Sequence, residues 1–150
     1  MFAATTSTPD APRTLGMRLA GLLRAGDIVL LNGRLGSGKT LLTSGIADGL
    51  GVEDPVVSPT FVIVRQYDGF LSLTHADMYR IGSSGEFDDL DLIEEASSGV
   101  LVIEWGAPVA SQVGRDHLAV DITIAEDESR TFAFRPSGVW SERNLGELSV

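Results

Sequence analysis

Cysteine is absent from the 150 residues, which excludes disulfides and thiolate metal sites and leaves the chain indifferent to redox compartment. Positive charge is scarce. Eleven Lys and Arg stand against 21 Asp and Glu, a net charge of -10, so the surface would repel a phosphate backbone and direct, autonomous nucleic-acid binding is not expected. No apolar run is long enough for a membrane span. The opening "MFAATTSTPDAPR" has neither the basic start nor the apolar core of a signal peptide, so the cytoplasm is the expected location, with no membrane contact. Internal repeats and low-complexity blocks are also missing. What remains is a chain 43% apolar, enough for one real core and too short to leave much room for a second. The expected organisation is a flexible N-terminal arm over 1–13, rich in Ala, Thr, Ser and Pro without period, followed by a single domain over 14–150.

From Thr14 a pattern begins. Leu15, Leu19, Leu22 and Leu23 share one helical face, with Thr14 as a plausible cap and Gly26 as the stop. "DIVLL" (27–31) is a short continuous apolar run, as expected of a strand buried on both faces in a parallel sheet. After a glycine-rich turn, "KTLLTSGIADGL" (39–50) places Leu42, Ile46 and Leu50 at helical spacing and halts at Gly51. "FVIVRQYDGFLSLTHADMYR" (61–80) reads as an antiparallel hairpin turning at Asp68-Gly69, a dipeptide suited to a two-residue turn. "EFDDLDLIEEAS" (86–97) is expected as a short acidic helix with Phe87, Leu90 and Ile93 as its apolar stripe, leading into a second buried parallel strand, "VLVIEW" (100–105). "HLAVDITI" (117–124) and "TFAFRP" (131–136) form a second hairpin through "AEDESR", and the segment after Pro136 has no clear pattern.

The turn between the first strand and its helix carries the chemistry. Gly33-Arg34-Leu35-Gly36-Ser37-Gly38-Lys39-Thr40 fits G-x-x-x-x-G-K-[ST] at every fixed position, with a buried strand before it and an amphipathic helix after it. The glycines let backbone N–H groups converge on phosphate oxygens, and the helix directs its positive end to the same place. Lys39 is suited to the β and γ phosphates, the Thr40 hydroxyl to Mg²⁺, and Leu41 continues the nucleotide-contacting backbone. An ordinary glycine turn with an exposed lysine would not need this context.

Mg²⁺ calls for a protein carboxylate, direct or through water, and two are available. Glu104 ends the apolar run "VLVIE" at the edge where open α/β sheets bind ligands, although a charge there also marks a strand leaving the core. Asp77 lies in "HADMYR", where alternation puts His75, Asp77 and Tyr79 on one side of a strand, a pattern equally open to a solvated edge strand. Spacing alone does not decide which carboxylate is the direct ligand. "VVSPTF" (56–61) sets hydroxyls around a proline and reads either as a γ-phosphate-sensing loop or as a Ser-Pro turn.

"LNGRLGSGKT", "SPTF", "HADMYR" and "IEW" together, in this order and approximate spacing, resemble the bacterial TsaE (formerly YjeE) family, a small ATPase of tRNA threonylcarbamoyladenosine synthesis, from about Leu15 to about Ile124. The resemblance implies an ATPase whose P-loop binds ATP and Mg²⁺, with a switch-like Thr60, an Asp77 serving metal or water, and Glu104-Trp105 beside the nucleotide. It also implies two partners, TsaB and TsaD, whose complex the protein would reset between turnovers, with tRNA met only through that complex. The chain departs from the family pattern at Pro12-Arg13, where an acidic residue is common, and at Gly106-Ala107-Pro108, which lacks a further glutamate.

The expected fold is α/β of P-loop NTPase type: three layers, a central mixed and mainly parallel sheet with antiparallel hairpins, and flanking helices. Two other functions share part of the pattern. A small-molecule P-loop kinase needs an arginine-bearing lid, and between Asp54 and Arg115 the chain has only Arg65 and Arg80. A GTP-dependent switch would carry an Asn-Lys-x-Asp guanine reader, and no such tetrad occurs. Arg80 is the only arginine that adjoins a site motif outside the P-loop, so a last stabilising cation is expected from a partner.

Overall fold

The computed structural model describes residues 2–34, 36–57, 64–78, 91–105, 110 and 113–149. Among these residues seven strands form one sheet in the order β1-β7-β6-β2-β5-β4-β3. They are β1 (Phe2–Thr6), β2 (Ile28–Asn32), β3 (Val64–Tyr67), β4 (Leu73–Asp77), β5 (Val100–Glu104), β6 (His117–Ile124) and β7 (Arg130–Ser137). The four central strands, β6-β2-β5-β4, run parallel, and antiparallel partners close both edges. Alternation in the central strands sorts apolar side chains to two cores. Val29, Leu31, Leu73, Val100 and Val102 face α1 (Ala11–Ala20) and α2 (Lys39–Gly49). Ile28, Leu30, Ala76, Leu101 and Ile103 face α3 (Leu92–Glu95) and its neighbours. Helices on both faces explain why β2 and β5 read as unbroken apolar runs.

Helices α1 and α2 touch backbone to backbone. A Cβ at Gly16 would overlap the carbonyl oxygen of Leu42, one at Gly45 that of Arg13, and one at Gly49 the methyl of Ala20. Outside this seam Arg13 grips Asp48 through two bonds, at 2.6 and 3.0 Å.

Several elements differ from the sequence-based expectation. The N-terminal arm is not loose over its length, because Phe2–Thr6 pairs antiparallel with β7 and buries Ala4 and Thr6 on alternate positions. Its Ala-Thr composition is poor in bulk, but β-branched threonines and a period of two suit an edge strand once β7 offers a partner. Helix α1 opens at Ala11 behind Asp10, with a proline in its first turn where no N–H is needed, and closes at Gly21. Thr14 is therefore interior, and Gly26, at φ +90°, shapes the later turn into β2. The first hairpin exists, but Tyr67 pairs with Leu73 and the connection runs over 68–72. That loop bends onto the end of α2, where Phe70 N donates to Leu50 O at 2.6 Å. Strand β4 is no solvated edge, because β3 covers one side and β5 the other. In the acidic segment Leu92 is buried and Ile93 exposed, the reverse of the expected stripe, while Phe87 and Leu90 lie outside the described residues. After β7, 3₁₀ turns at Gly138–Glu142 and Leu145–Leu148 bury Trp140, Leu145 and Leu148. Arg143 stacks on Trp140 and donates two buried hydrogen bonds to the Asp27 carboxylate, at 2.6 and 2.9 Å, at the start of β2.

Candidate functional site

Strand β2 delivers the chain to the carboxyl edge of the sheet at Asn32, and the glycine loop turns it back into α2. Gly36 and Gly38 take φ values of +79° and +111°, which side chains with a Cβ rarely adopt, so the loop's path depends on them. Gly38 is also the N-cap of α2, and no side chain caps that end. The first-turn N–H groups of an 11-residue helix thus face the cleft together with the helix dipole.

A cavity of about 420 Å³ opens over this loop. Gly36, Gly38, Lys39, Thr40 and Leu41 line it from the loop and α2, Asp77, Glu104 and Trp105 from the ends of β4 and β5, and Pro9 and Arg130 complete the lining. Of the P-loop residues, Gly33, Arg34 and Ser37 lie outside the lining, and Ser37 Oγ is buried with no hydrogen-bond partner among the described residues. Leu35 and Thr60 lie outside the described residues, as do Tyr79 and Arg80.

The Asp77–Glu104 pair follows from strand register. Asp77 on β4 and Glu104 on β5 are direct parallel partners, so the two carboxylates stand on the same face, which α2 covers. Both are buried, Asp77 at 8% exposure and Glu104 at 4%. Two residues back on β4, fully buried His75 reaches diagonally so that its Nε2 lies 2.6 Å from Glu104 Oε2.

Lys39 is itself buried, and its ammonium donates to the carbonyls of Gly33 and Arg34 while lying 4.1 Å from the centre of the Trp105 ring. Burial pushes its pKa below the ordinary lysine value, and Glu104 and Asp77 pull it back upward. Trp105 holds that ring from a left-handed backbone, φ +60°, a strained conformation for a bulky residue that strands at active sites often display.

Two lining residues escaped the sequence reading. Arg130 opens β7, 94 residues from the loop, and its Nη2 donates to Gly36 O at 3.2 Å while its Nε is buried with no partner among the described residues. Its aliphatic stem packs beside Gly38, where a Cβ would be 3.5 Å from Arg130 Cδ. Arg80 is therefore not the only arginine near a site motif. Pro9 arrives from the connection between β1 and α1.

The donor set suits a nucleotide with a hard cation. Convergent loop N–H groups and a buried lysine match phosphate oxygens, and the Thr40 hydroxyl beside paired carboxylates matches Mg²⁺. Among the described residues no three His, Cys, Asp or Glu gather into a group that could hold a metal ion by themselves. No helix among them is long and apolar enough to cross a membrane.

Comparison with known proteins places this arrangement. A family model described as threonylcarbamoyl adenosine biosynthesis protein TsaE matches residues 6–132. The tRNA threonylcarbamoyladenosine biosynthesis protein TsaE of Streptomyces coelicolor is 48% identical over 117 residues, covering 75% of this chain and 79% of the relative. The protein of the same name from Bacillus subtilis is 37% identical over 146 residues, 96% of this chain and 91% of the relative. The crystal structure of Bacillus subtilis YdiB superposes with a TM-score of 0.80 at 30% identity, covering 98% of this chain and 93% of that one.

Proposed function

Because the chain belongs to the TsaE family, we propose that it acts in tRNA threonylcarbamoyladenosine biosynthesis as a Mg²⁺-dependent ATPase. The observation that carries this reading is the uncapped amino end of α2, with Lys39 and Thr40 in its first turn, facing Asp77 and Glu104 across one cavity. The loop N–H groups and Lys39 hold the β and γ phosphates, for which Lys39 exchanges its bonds to Gly33 and Arg34 carbonyls. Mg²⁺, when bound, neutralises the charge that develops on the phosphates, with Thr40 and one of the two carboxylates as its protein ligands. The other carboxylate orients the attacking water. Trp105 excludes bulk water from the lysine side of the cleft.

The nucleoside leaves the phosphate cradle on the side away from the carboxylates. On this reading the adenine meets the remaining lining residues Pro9, Leu41 and Arg130, whose planar guanidinium offers a stacking surface. Thr60, by the family resemblance, reports the γ-phosphate to whatever docks on its loop. A protein of net charge -10 is a poor ligand for tRNA, so its action on RNA chemistry passes through the TsaB and TsaD partners, which supply the basic surface. Hydrolysis by the isolated protein is then slow and rises when both partners are present.

The test is calorimetric titration of ATP and steady-state hydrolysis for the parent, Lys39→Ala and Glu104→Gln. Lys39→Ala should lose useful ATP affinity, and Glu104→Gln should keep binding while losing roughly 10²-fold or more in hydrolysis. Unchanged affinity in Lys39→Ala defeats the P-loop assignment.

A further inference from the structure

We infer that His75 is a positioning residue for the metal-side carboxylate: from β4 its Nε2 holds one oxygen of Glu104 and leaves the other to the cleft. This rests on the ATP–Mg²⁺ reading above. Three observations support it. The imidazole is fully buried in the sheet face beneath α2, between Leu73 and Asp77 along β4, with Val102 as its register partner on β5 and the exposed Arg65 as its partner on β3. A polar ring there is costly unless a partner compensates it. Its one described hydrogen bond, 2.6 Å, goes to Glu104 Oε2, and its Nδ1 is buried with no partner among the described residues, so backbone or sheet geometry gives the ring no other employment.

The third observation is that no other rigid support for that carboxylate occurs among the described residues. Lys39 turns its ammonium to the loop carbonyls and the Trp105 ring. Asp77, at the same register, carries the same sign of charge. A glutamate with a free χ3 would rotate away from Asp77, whereas the bond from His75 fixes its plane. Side chains that orient a metal ligand in this way typically contribute about 10- to 100-fold in metal affinity or activity.

The experiment compares His75→Leu, which keeps the bulk and removes the donor, with His75→Gln, whose amide nitrogen replaces Nε2. A non-hydrolysable ATP analogue is titrated calorimetrically in the presence of a chelator, and Mg²⁺ is then titrated into the chelator-free protein–analogue complex of Trp140→Phe backgrounds, with Trp105 emission as the signal. Thermal melting and steady-state ATP hydrolysis accompany both. In His75→Leu the chelated affinity should stay within about threefold of the parent, while the Mg²⁺ midpoint rises about tenfold or more and kcat falls in parallel. His75→Gln should recover most of both losses.

An unchanged Mg²⁺ midpoint in folded His75→Leu overturns the inference, and so does a Gln variant as impaired as the Leu one. If His75→Leu does not fold, His75→Asn replaces it, since its shorter amide falls short of Glu104, and parity of Asn with Gln overturns the inference. Failure of the underlying reading looks different: the parent itself then shows no Mg²⁺-dependent nucleotide binding, and both ideas fall together.

Discussion

Arg130→Ala tests where the nucleoside lies. The guanidinium makes one bond to the Gly36 carbonyl, at 3.2 Å, and is half-buried, so solvent screening holds this brace to about 0.5–1 kcal/mol. Stacking of a partly exposed guanidinium on a base adds about 0.5–1 kcal/mol. Together the loss is about 1–2 kcal/mol, or roughly 5- to 30-fold in ATP affinity. Inorganic tripolyphosphate separates the two parts. It uses the phosphate cradle but has no base, so Arg130→Ala should weaken it by less than about fivefold. Arg130→Lys keeps the charge without the planar face and should restore tripolyphosphate binding more fully than ATP binding. Calorimetry at fixed Mg²⁺ measures all six affinities. If Arg130→Ala binds ATP as tightly as the parent, the arginine has no part in the site. Equal losses for ATP and tripolyphosphate would instead place it on the phosphates and refute the base assignment.

Gly45→Ala gains roughly 1 kcal/mol of helix propensity but drives a Cβ into the Arg13 carbonyl, an overpacking of about 1–3 kcal/mol or more against backbone that cannot yield. The net cost of up to about 2 kcal/mol should lower the melting temperature by up to about 8 °C, at roughly 2–4 °C per kcal/mol for a chain of this size, and a rise would show that the seam is looser than described. Arg143→Met strands the buried Asp27 carboxylate, at a cost of about 3–5 kcal/mol, whereas Asp27→Leu combined with Arg143→Met should cost clearly less. Denaturant unfolding of both variants decides this, and a double variant worse than the single one contradicts the pairing. For Lys39 the folded-state pKa lies below the ordinary 10.5, so the folded protein binds fewer protons than the unfolded chain between those two values. Its contribution to stability therefore rises with pH across that window. Lys39→Met should lose that alkaline gain relative to the parent, and identical pH profiles would refute the linkage.

The strand, loop and helix around Lys39 were legible because every determinant is local: an unbroken apolar run, glycines at fixed spacing, and a helical period. Alternation put His75 and Asp77 on one side of a strand but could not show burial, which is conferred by β5 alongside and α2 above. Phe2–Thr6 was missed because its signal is its partner: Phe2 meets Phe134, with ring centres 6.1 Å apart. Arg130 went unseen for the same reason, since only the closing of β7 against β6 brings it to the loop. The segment after Pro136 resisted reading because 3₁₀ turns bury Trp140, Leu145 and Leu148 without a helical or strand period.

The glycine seam between α1 and α2 also has a mechanical meaning. Helices separated by a layer of side chains can slide as rotamers readjust, but here carbonyl oxygens and Cα atoms are the contact, and they have no rotamers. Any tilt of α2 as phosphate enters or leaves its amino end is therefore handed undamped to α1, with the Arg13–Asp48 clasp holding the pair in register. Pro9 lies just ahead of the Asp10 cap of α1, so its part of the cavity lining rides on the same rigid body as the Lys39 end of α2.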